Sequence, residues 1–282
     1  KRQAQQGGSR SPVQVCAEIF GHAGIESDFE IISLMLETLH SVNISDLVLD
    51  LGHVGVASGI AEHVGLTDEQ QQDYFDMLAR KSIPEIDTWL VKQNISKADS
   101  EMLSALPLLN GTPDVVKSAQ DKLKNAGKEV LDALLHLQNV SQLISSNLPE
   151  LNLHIDLAEM RGYSYHTGIM YTAYLPGRGN SIAHGGRYDG IGKAFGNSRP
   201  AIGFSTDLRT LASLTESTVS TNNSILAPYA FDEKLDTLVH QLRQQGEQVI
   251  TQLDISTEIT PEQQGCNRII QQQGDDWIVV SL

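Results

Sequence analysis

The sequence is short of positive charge. Its 282 residues carry 20 Lys and Arg against 35 Asp and Glu, a formal net charge of −15. A chain that grips DNA or RNA needs a basic face, because release of counterions from phosphates drives that binding. The balance therefore argues against a nucleic-acid partner; it suits solubility, or a protein partner with a basic face. Cysteine is scarce: Cys16 and Cys266 stand far apart, with no Cys-x-x-Cys pair and no Cys/His metal spacing. We expect a reducing compartment, two buried thiols and no metal. No apolar run approaches the ~18 residues of a membrane span. The opening stretch, Lys1 to Arg10, has no apolar segment of the signal-peptide kind. The expected location is the cytoplasm. Also missing are a GxxxxGK[ST] phosphate loop, a GxSxG elbow and an HExxH pair.

What is present suits a globular chain. Apolar residues make up 40%, enough for a sizeable core, and the length fits one large domain plus a small one. Residues 11–20 alternate loosely and read as a strand ending at Gly21. Asp28 is expected to open a helix through Ile31, Ile32, Leu34, Met35 and Leu39. Residues 47–51 alternate as a second strand, which Gly52 ends. From about 55 to 147 the pattern is helical: Thr67 with Gln70 makes a capping box, and Thr112-Pro113 a helix start, with loops such as Leu109-Asn110-Gly111 between helices. Strands return at 151–157, 168–175, 181–183 and 201–204, followed by a helix from Thr206 to about 214. Hairpin-length turns between them imply an antiparallel sheet. A Thr/Ser/Asn linker over 215–224 leads to a tail read as strand 224–228, helix 231–245, strand 247–251, helix 263–272 and strand 277–282. The expected division is a core over 1–214, with its helical insertion at about 55–147, and a small α/β unit over 224–282.

Three constellations carry chemistry. Gln14 and Glu18 share one face of the first strand, their Cα atoms ~13 Å apart, with room between them for something the length of an amino acid. In Met160-Arg161-Gly162-Tyr163-Ser164-Tyr165-His166-Thr167-Gly168, a guanidinium suited to a carboxylate stands beside a glycine and aromatic rings. In Ala183-His184-Gly185-Gly186-Arg187-Tyr188-Asp189-Gly190, paired glycines allow close backbone approach. Each alone is also what an ordinary sheet face, core or turn would show.

Together, in this order and spacing, they resemble histidyl-tRNA synthetase and its relatives, over residues 1 to about 212. Ser9 to Gly21 resembles the end of class II motif 2, and Asp28-Phe29-Glu30-Ile31-Ile32 the stretch that follows. Arg161-Gly162-x-x-Tyr165 and Gly185-Gly186-Arg187-Tyr188-Asp189-Gly190 resemble the two histidine-specific signatures, and Pro200 to Phe204 the opening of motif 3. The resemblance implies an α+β fold: a class II aminoacyl-tRNA synthetase-like antiparallel sheet flanked by helices, with a helical insertion and a small C-terminal α/β unit. The tail does not resemble an anticodon-binding domain. The family dimerises through a motif upstream of motif 2, so we expect a self-dimer through the core and a longer parent chain.

Departures from the pattern carry the functional expectation. The synthetases end motif 3 with an Arg that clamps ATP phosphate; here that position holds Thr210, and an earlier Gly position holds Asp207. Arg209 is one step off, which on a helix turns a side chain by about 100°. Arg2 stands where motif 2 has a Glu, and Gly8 where the loop has a basic residue. The histidine side is kept: Gln14, Glu18, Arg161, Tyr165, His166 (a Tyr in the signature) and Tyr188 are the expected histidine-binding set, with no catalytic residue, metal or cofactor. This combination resembles the regulatory-subunit family of ATP phosphoribosyltransferase. The resemblance implies a partner, the short-form catalytic subunit, which the regulatory chain activates and through which L-histidine exerts feedback on histidine biosynthesis. An active histidyl-tRNA synthetase and a synthetase-like module with another ligand are the alternatives.

Overall fold

The computed structural model describes residues 13–190, 196, 198–215, 224–253 and 260–282. The motif 2 positions Arg2 and Gly8, and most of the expected linker, lie outside the described residues. Strand β1 (Gln14–Phe20) alternates as its sequence demands: Gln14, Cys16, Glu18 and Phe20 are exposed, while Ala17 and Ile19 pack on the core. Helix α1 (Ile25–His40) follows, burying Ile31, Ile32, Met35 and Leu39 along one stripe. Its N-cap is Gly24, not Asp28. Asp28 stands inside the first turn and is fully buried, held there by Arg187 (below).

Strand β2 (Val48–His53) runs through Gly52 rather than stopping at it. The helical insertion holds α2 (Val54–Val64), α3 (Asp68–Ala79), α4 (Ile83–Lys92), α5 (Lys97–Ala105), α6 (Val115–Lys122) and α7 (Lys128–Asn147). Thr67 and Gln70 close the expected capping box on α3. Thr112-Pro113 forms a turn, and α6 starts two residues later, at Val115. The segment expected as a loop at Leu109-Asn110-Gly111 contains a short strand, β3 (Asn110–Gly111), which docks on the sheet edge. Then come β4 (Asn152–Asp156), β5 (Ile169–Tyr174), β6 (Ser181–Arg187), β7 (Ala201–Asp207) and α8 (Leu208–Leu214). Strand β6 continues through Gly185 and Gly186, and β7 through Thr206, because both are ladder partners in the sheet interior.

The sheet order is β1-β7-β6-β5-β2-β4-β3. It is antiparallel except for the β2–β4 pair, which is parallel. A parallel pair cannot be closed by a hairpin and needs a long crossover; the whole helical insertion is that crossover. Its helices bury Ile60, Leu78, Leu103, Leu134, Leu137 and Ile144 in one continuous core with the sheet and the buried stripe of α1. Truncating such a side chain costs about 2–5 kcal/mol.

The chain divides into two compact units, Lys1–Thr215 and Glu216–Leu282. The second contains β8 (Ser224–Ala227), α9 (Glu233–Gln244), β9 (Val249–Thr251), β10 (Cys266–Gln273) and β11 (Asp276–Ser281). Ile225, Ala227, Leu235, Val249 and Ile270 form its small core. The helix expected over 263–272 is strand β10. The cause lies after it: Gly274-Asp275 is a two-residue loop, with Gly274 at φ 63, that pairs Gln273 with Asp276 and folds the chain into a hairpin. Cys266 is buried as expected; Cys16 is not. Among the described residues no helix is long and apolar enough to cross a membrane.

Candidate functional site

Strands β1, β7 and β6 lie side by side, and the turn at 162–167 folds over them. Between the two is a cavity of about 320 Å³ lined by Gln14, Cys16, Glu18, Tyr165, His166, His184, Gly185, Gly186, Tyr188, Gly203, Phe204 and Ser205. Strand alternation supplies Gln14, Cys16 and Glu18 as a row. Gln14 donates to Ser205 Oγ across the β1–β7 ladder at 2.9 Å. Two glycines make the floor. A Cβ on Gly186 would come within 2.7 Å of His166 Nδ1, and one on Gly203 within 2.7 Å of Glu18 Cγ. Any larger residue at either position would displace a wall of the cavity. Tyr165 stacks on Tyr188, with ring centroids 4.9 Å apart. Thr167 accepts from the Asp189 N–H, and Asp189 from the Ala201 N–H, which fixes the chain on either side of Tyr188.

His166 Nδ1 and the Tyr188 hydroxyl are buried atoms, and the hydroxyl's side-chain neighbour is the Glu18 carboxylate. Burial pushes the His166 and His184 imidazoles down, so both are neutral at pH 7; Arg161 adds to the effect at His184. Burial, then Glu18, pushes the Tyr188 phenol up and keeps it a donor. The cavity thus offers a carboxylate, an amide, neutral imidazoles and two phenols, and no Lys or Arg lines it among the described residues.

Five of the six residues expected at the site meet here: Gln14, Glu18, Tyr165, His166 and Tyr188. Arg161 does not. Its guanidinium lies 5.5 Å from the Tyr174 ring centroid and 3.6 Å from Glu159, in a neighbouring hollow with Asp50, Lys81 and Asp156. Asp50, Asp156 and Glu159 have the spacing of a cation site, but the Lys81 ammonium bonds to Asp156 there and acts as the resident cation. Sequence reasoning missed Cys16 and His184 as lining residues. Both were signalled, Cys16 by its even spacing between Gln14 and Glu18, His184 by adjoining Gly185. Asp207 caps α8 by accepting from the Thr210 N–H at 2.8 Å. Neither it, Thr210 nor the exposed Arg209 lines the cavity.

Behind β6 lies a second polar cluster. Arg187 donates through Nε and Nη2 to Asp28 Oδ1, and through Nη1 to the His22 carbonyl. Asp28 Oδ2 lies 2.8 Å from His136 Nε2, and His136 Nδ1 lies 3.2 Å from His53 Nε2. Gly55 N–H donates to His53 Nδ1. Burial and then His136 push His53 down to about 3. His53 is therefore neutral with its proton on Nε2; it donates to His136, and His136 donates to Asp28.

The sheet, the helical crossover and the cavity beside the second signature define a histidyl-tRNA synthetase-like class II fold. A family model described as histidyl-tRNA synthetase matches residues 1–211, and one described as the ATP phosphoribosyltransferase subunit HisZ C-terminal domain matches residues 222–280. The chain belongs to the ATP phosphoribosyltransferase regulatory subunit family. A regulatory subunit of that name from Alkalilimnicola ehrlichii is 44% identical over 97% of this chain and 69% of its own length. Another, from a Marinomonas species, is 42% identical over 88% of this chain and 63% of its own length. The chain therefore spans about two thirds of the length of these relatives. A Bacillus halodurans structure titled ATP phosphoribosyltransferase regulatory subunit/histidyl-tRNA synthetase superposes with a TM-score of 0.78 at 21% identity, over 91% of this chain and 67% of that one. The fold is also shared, at a TM-score of 0.56 and 16% identity over 70% of this chain and 66% of that one, with the HisG:HisZ ATP phosphoribosyl transferase complex of Thermotoga maritima.

Proposed function

We propose that this chain is a non-catalytic, histidine-sensing subunit that assembles with a short catalytic ATP phosphoribosyltransferase subunit in the cytoplasm, dimerises through its core, and conveys feedback inhibition. The observation that carries the reading is the pair of buried polar atoms, His166 Nδ1 and the Tyr188 hydroxyl, set beside the exposed Glu18 carboxylate, with no Lys or Arg among the described residues that line the space. Such a surface suits the imidazole and ammonium ends of free L-histidine, whose N–H groups need acceptors. It does not suit a triphosphate, which needs cationic donors. Glu18 takes the imidazole, Gln14 the α-amino group, and Tyr165, His166 and Tyr188 line the site. Feedback then follows if histidine binds one arrangement of the assembly better than another.

Calorimetric titration of the chain with L-histidine tests this: heat of binding is expected, and Glu18→Ala should abolish it. Histidine-dependent exchange of pyrophosphate into ATP would instead favour an active synthetase. So would failure to co-purify with a short phosphoribosyltransferase alongside such exchange.

A further inference from the structure

Arg161 is the cation nearest the cavity's purposes, yet it is engaged elsewhere. Glu159 holds it from two sides, accepting from the Arg161 backbone N–H at 2.7 Å and lying 3.6 Å from Nη2. The Glu159 side chain is 12% exposed and that of Arg161 58%, so the acid is the more deeply set member and the arginine, which also contacts Tyr174, the more exposed one. Glu159 is not alone. Carboxylate oxygens of Asp50, Asp156 and Glu159 all lie within 4.8 Å of one another. The Lys81 ammonium, which bonds to Asp156, is the cation among the three acids, while His154 Nδ1 lies 2.9 Å from Asp50 Oδ1. Lys81 comes from the turn between α3 and α4, in the helical insertion, and holds φ at 50, a conformation a lysine adopts only when its surroundings demand it. On the cavity side, His184 feels the positive charge of Arg161. The guanidinium thus stands between an acidic cluster and a cavity whose ligand, as an amino acid, would bring a carboxylate of its own.

We propose that Glu159 and a ligand α-carboxylate compete for Arg161, and that Lys81 of the helical insertion sets the outcome by neutralising the cluster behind Glu159. This rests on the reading of the cavity as an amino-acid site. With Lys81 in place the cluster is partly compensated and Arg161 can be drawn to the ligand. With Lys81 withdrawn the cluster is more negative and keeps it. Whatever moves the α3–α4 turn therefore changes the hold on the ligand, and by linkage the ligand changes the disposition of that turn.

Two variants of the full chain should act in opposite directions. Glu159→Gln keeps the acceptor for the Arg161 N–H but removes the charge, and should tighten L-histidine binding about 2–5-fold in calorimetry. Lys81→Met should weaken it by a similar factor, and Lys81→Arg should restore it. L-Histidinol, which lacks the carboxylate, should be indifferent to all three. Without ligand, an NMR titration should find the His184 pKa lowered in Glu159→Gln and raised in Lys81→Met. Shifts of the same sign in both variants, or histidine and histidinol moving together, would overturn the proposal. A wild-type chain that binds neither compound would remove the histidine reading. The His184 titration then reads the hold on Arg161 by itself: opposite shifts keep the control by Glu159 and Lys81, and no shift refutes it.

Discussion

Arg187 and Tyr188 are neighbours in sequence and serve opposite kinds of site. Arg187 points into a cluster in which every hydrogen-bonding group is answered: Gly55 donates to His53, His53 to His136 and His136 to Asp28, which accepts from Arg187 on its other oxygen. Tyr188 points into a cavity whose polar groups, the exposed Glu18 carboxylate beside its hydroxyl foremost, are only partly engaged with one another. A saturated buried network fixes structure, since losing any member strands the others. An unsaturated one leaves bonds for a ligand to make. The β6 strand thus carries a structural arginine on one face and a recognition surface on the other.

The contrast breaks most visibly at the saturated cluster. Asp28→Ala leaves the Arg187 guanidinium buried without its carboxylate and should cost about 3–5 kcal/mol in urea unfolding; Gln14→Ala in the cavity should stay below about 1 kcal/mol. Acid should attack the same cluster. The folded-state pKa of His53 is lowered to about 3 from an ordinary 6.5, so between those values the unfolded chain binds the extra proton. The stability involved is intact above pH 6.5 and falls as pH drops, by about 3 kcal/mol at pH 4. His53→Asn should flatten that slope in a series of denaturation curves. Third comes the cavity floor. Gly186→Ala drives a methyl against His166 and should cost about 1–3 kcal/mol, with loss of histidine binding. The smallest effect sharpens the comparison: Tyr188→Phe removes a hydroxyl whose side-chain neighbour, the Glu18 carboxylate, is exposed to water, so stability should change by less than about 0.5 kcal/mol while histidine affinity drops. A Tyr188→Phe chain that unfolds early would place Tyr188 with the structural cluster.

Much of the cavity was legible because it is local. Period-two spacing put Gln14 and Glu18 on one face of β1, and short motifs carried Tyr165, His166 and Tyr188. The Arg187–Asp28 pair was not legible: 159 residues separate its members, and nothing in either neighbourhood signals the other. Asp28 looked like a helix opener because acids favour first turns, and the demand of Arg187 explains why it is buried instead. Arg161 stands in the right motif but answers Glu159, only two residues away. Cys16 was expected inside on general cysteine habits, yet strand alternation, the stronger rule, put it on the cavity face. Apolar spacing over 263–272 suited a helix, and the Gly274-Asp275 loop overrode it by making a hairpin. Asn110-Gly111 reads as a loop by composition; its pairing with β4 is a tertiary event that composition does not record.

The parallel seam between β2 and β4 also bears on how the chain acquires its shape. Asp50 and His154 face each other there from positions 104 apart, so the seam gains its bonds only after a long segment has been gathered in, and distant contacts of this kind form slowly. The β5–β6 hairpin has no such delay. Pulsed hydrogen exchange during refolding should find the amides of β5 and β6 protected first and those of β4 last, with the acidic cluster that holds Arg161, built from Asp50 and Asp156 on those late strands, among the final features to assemble.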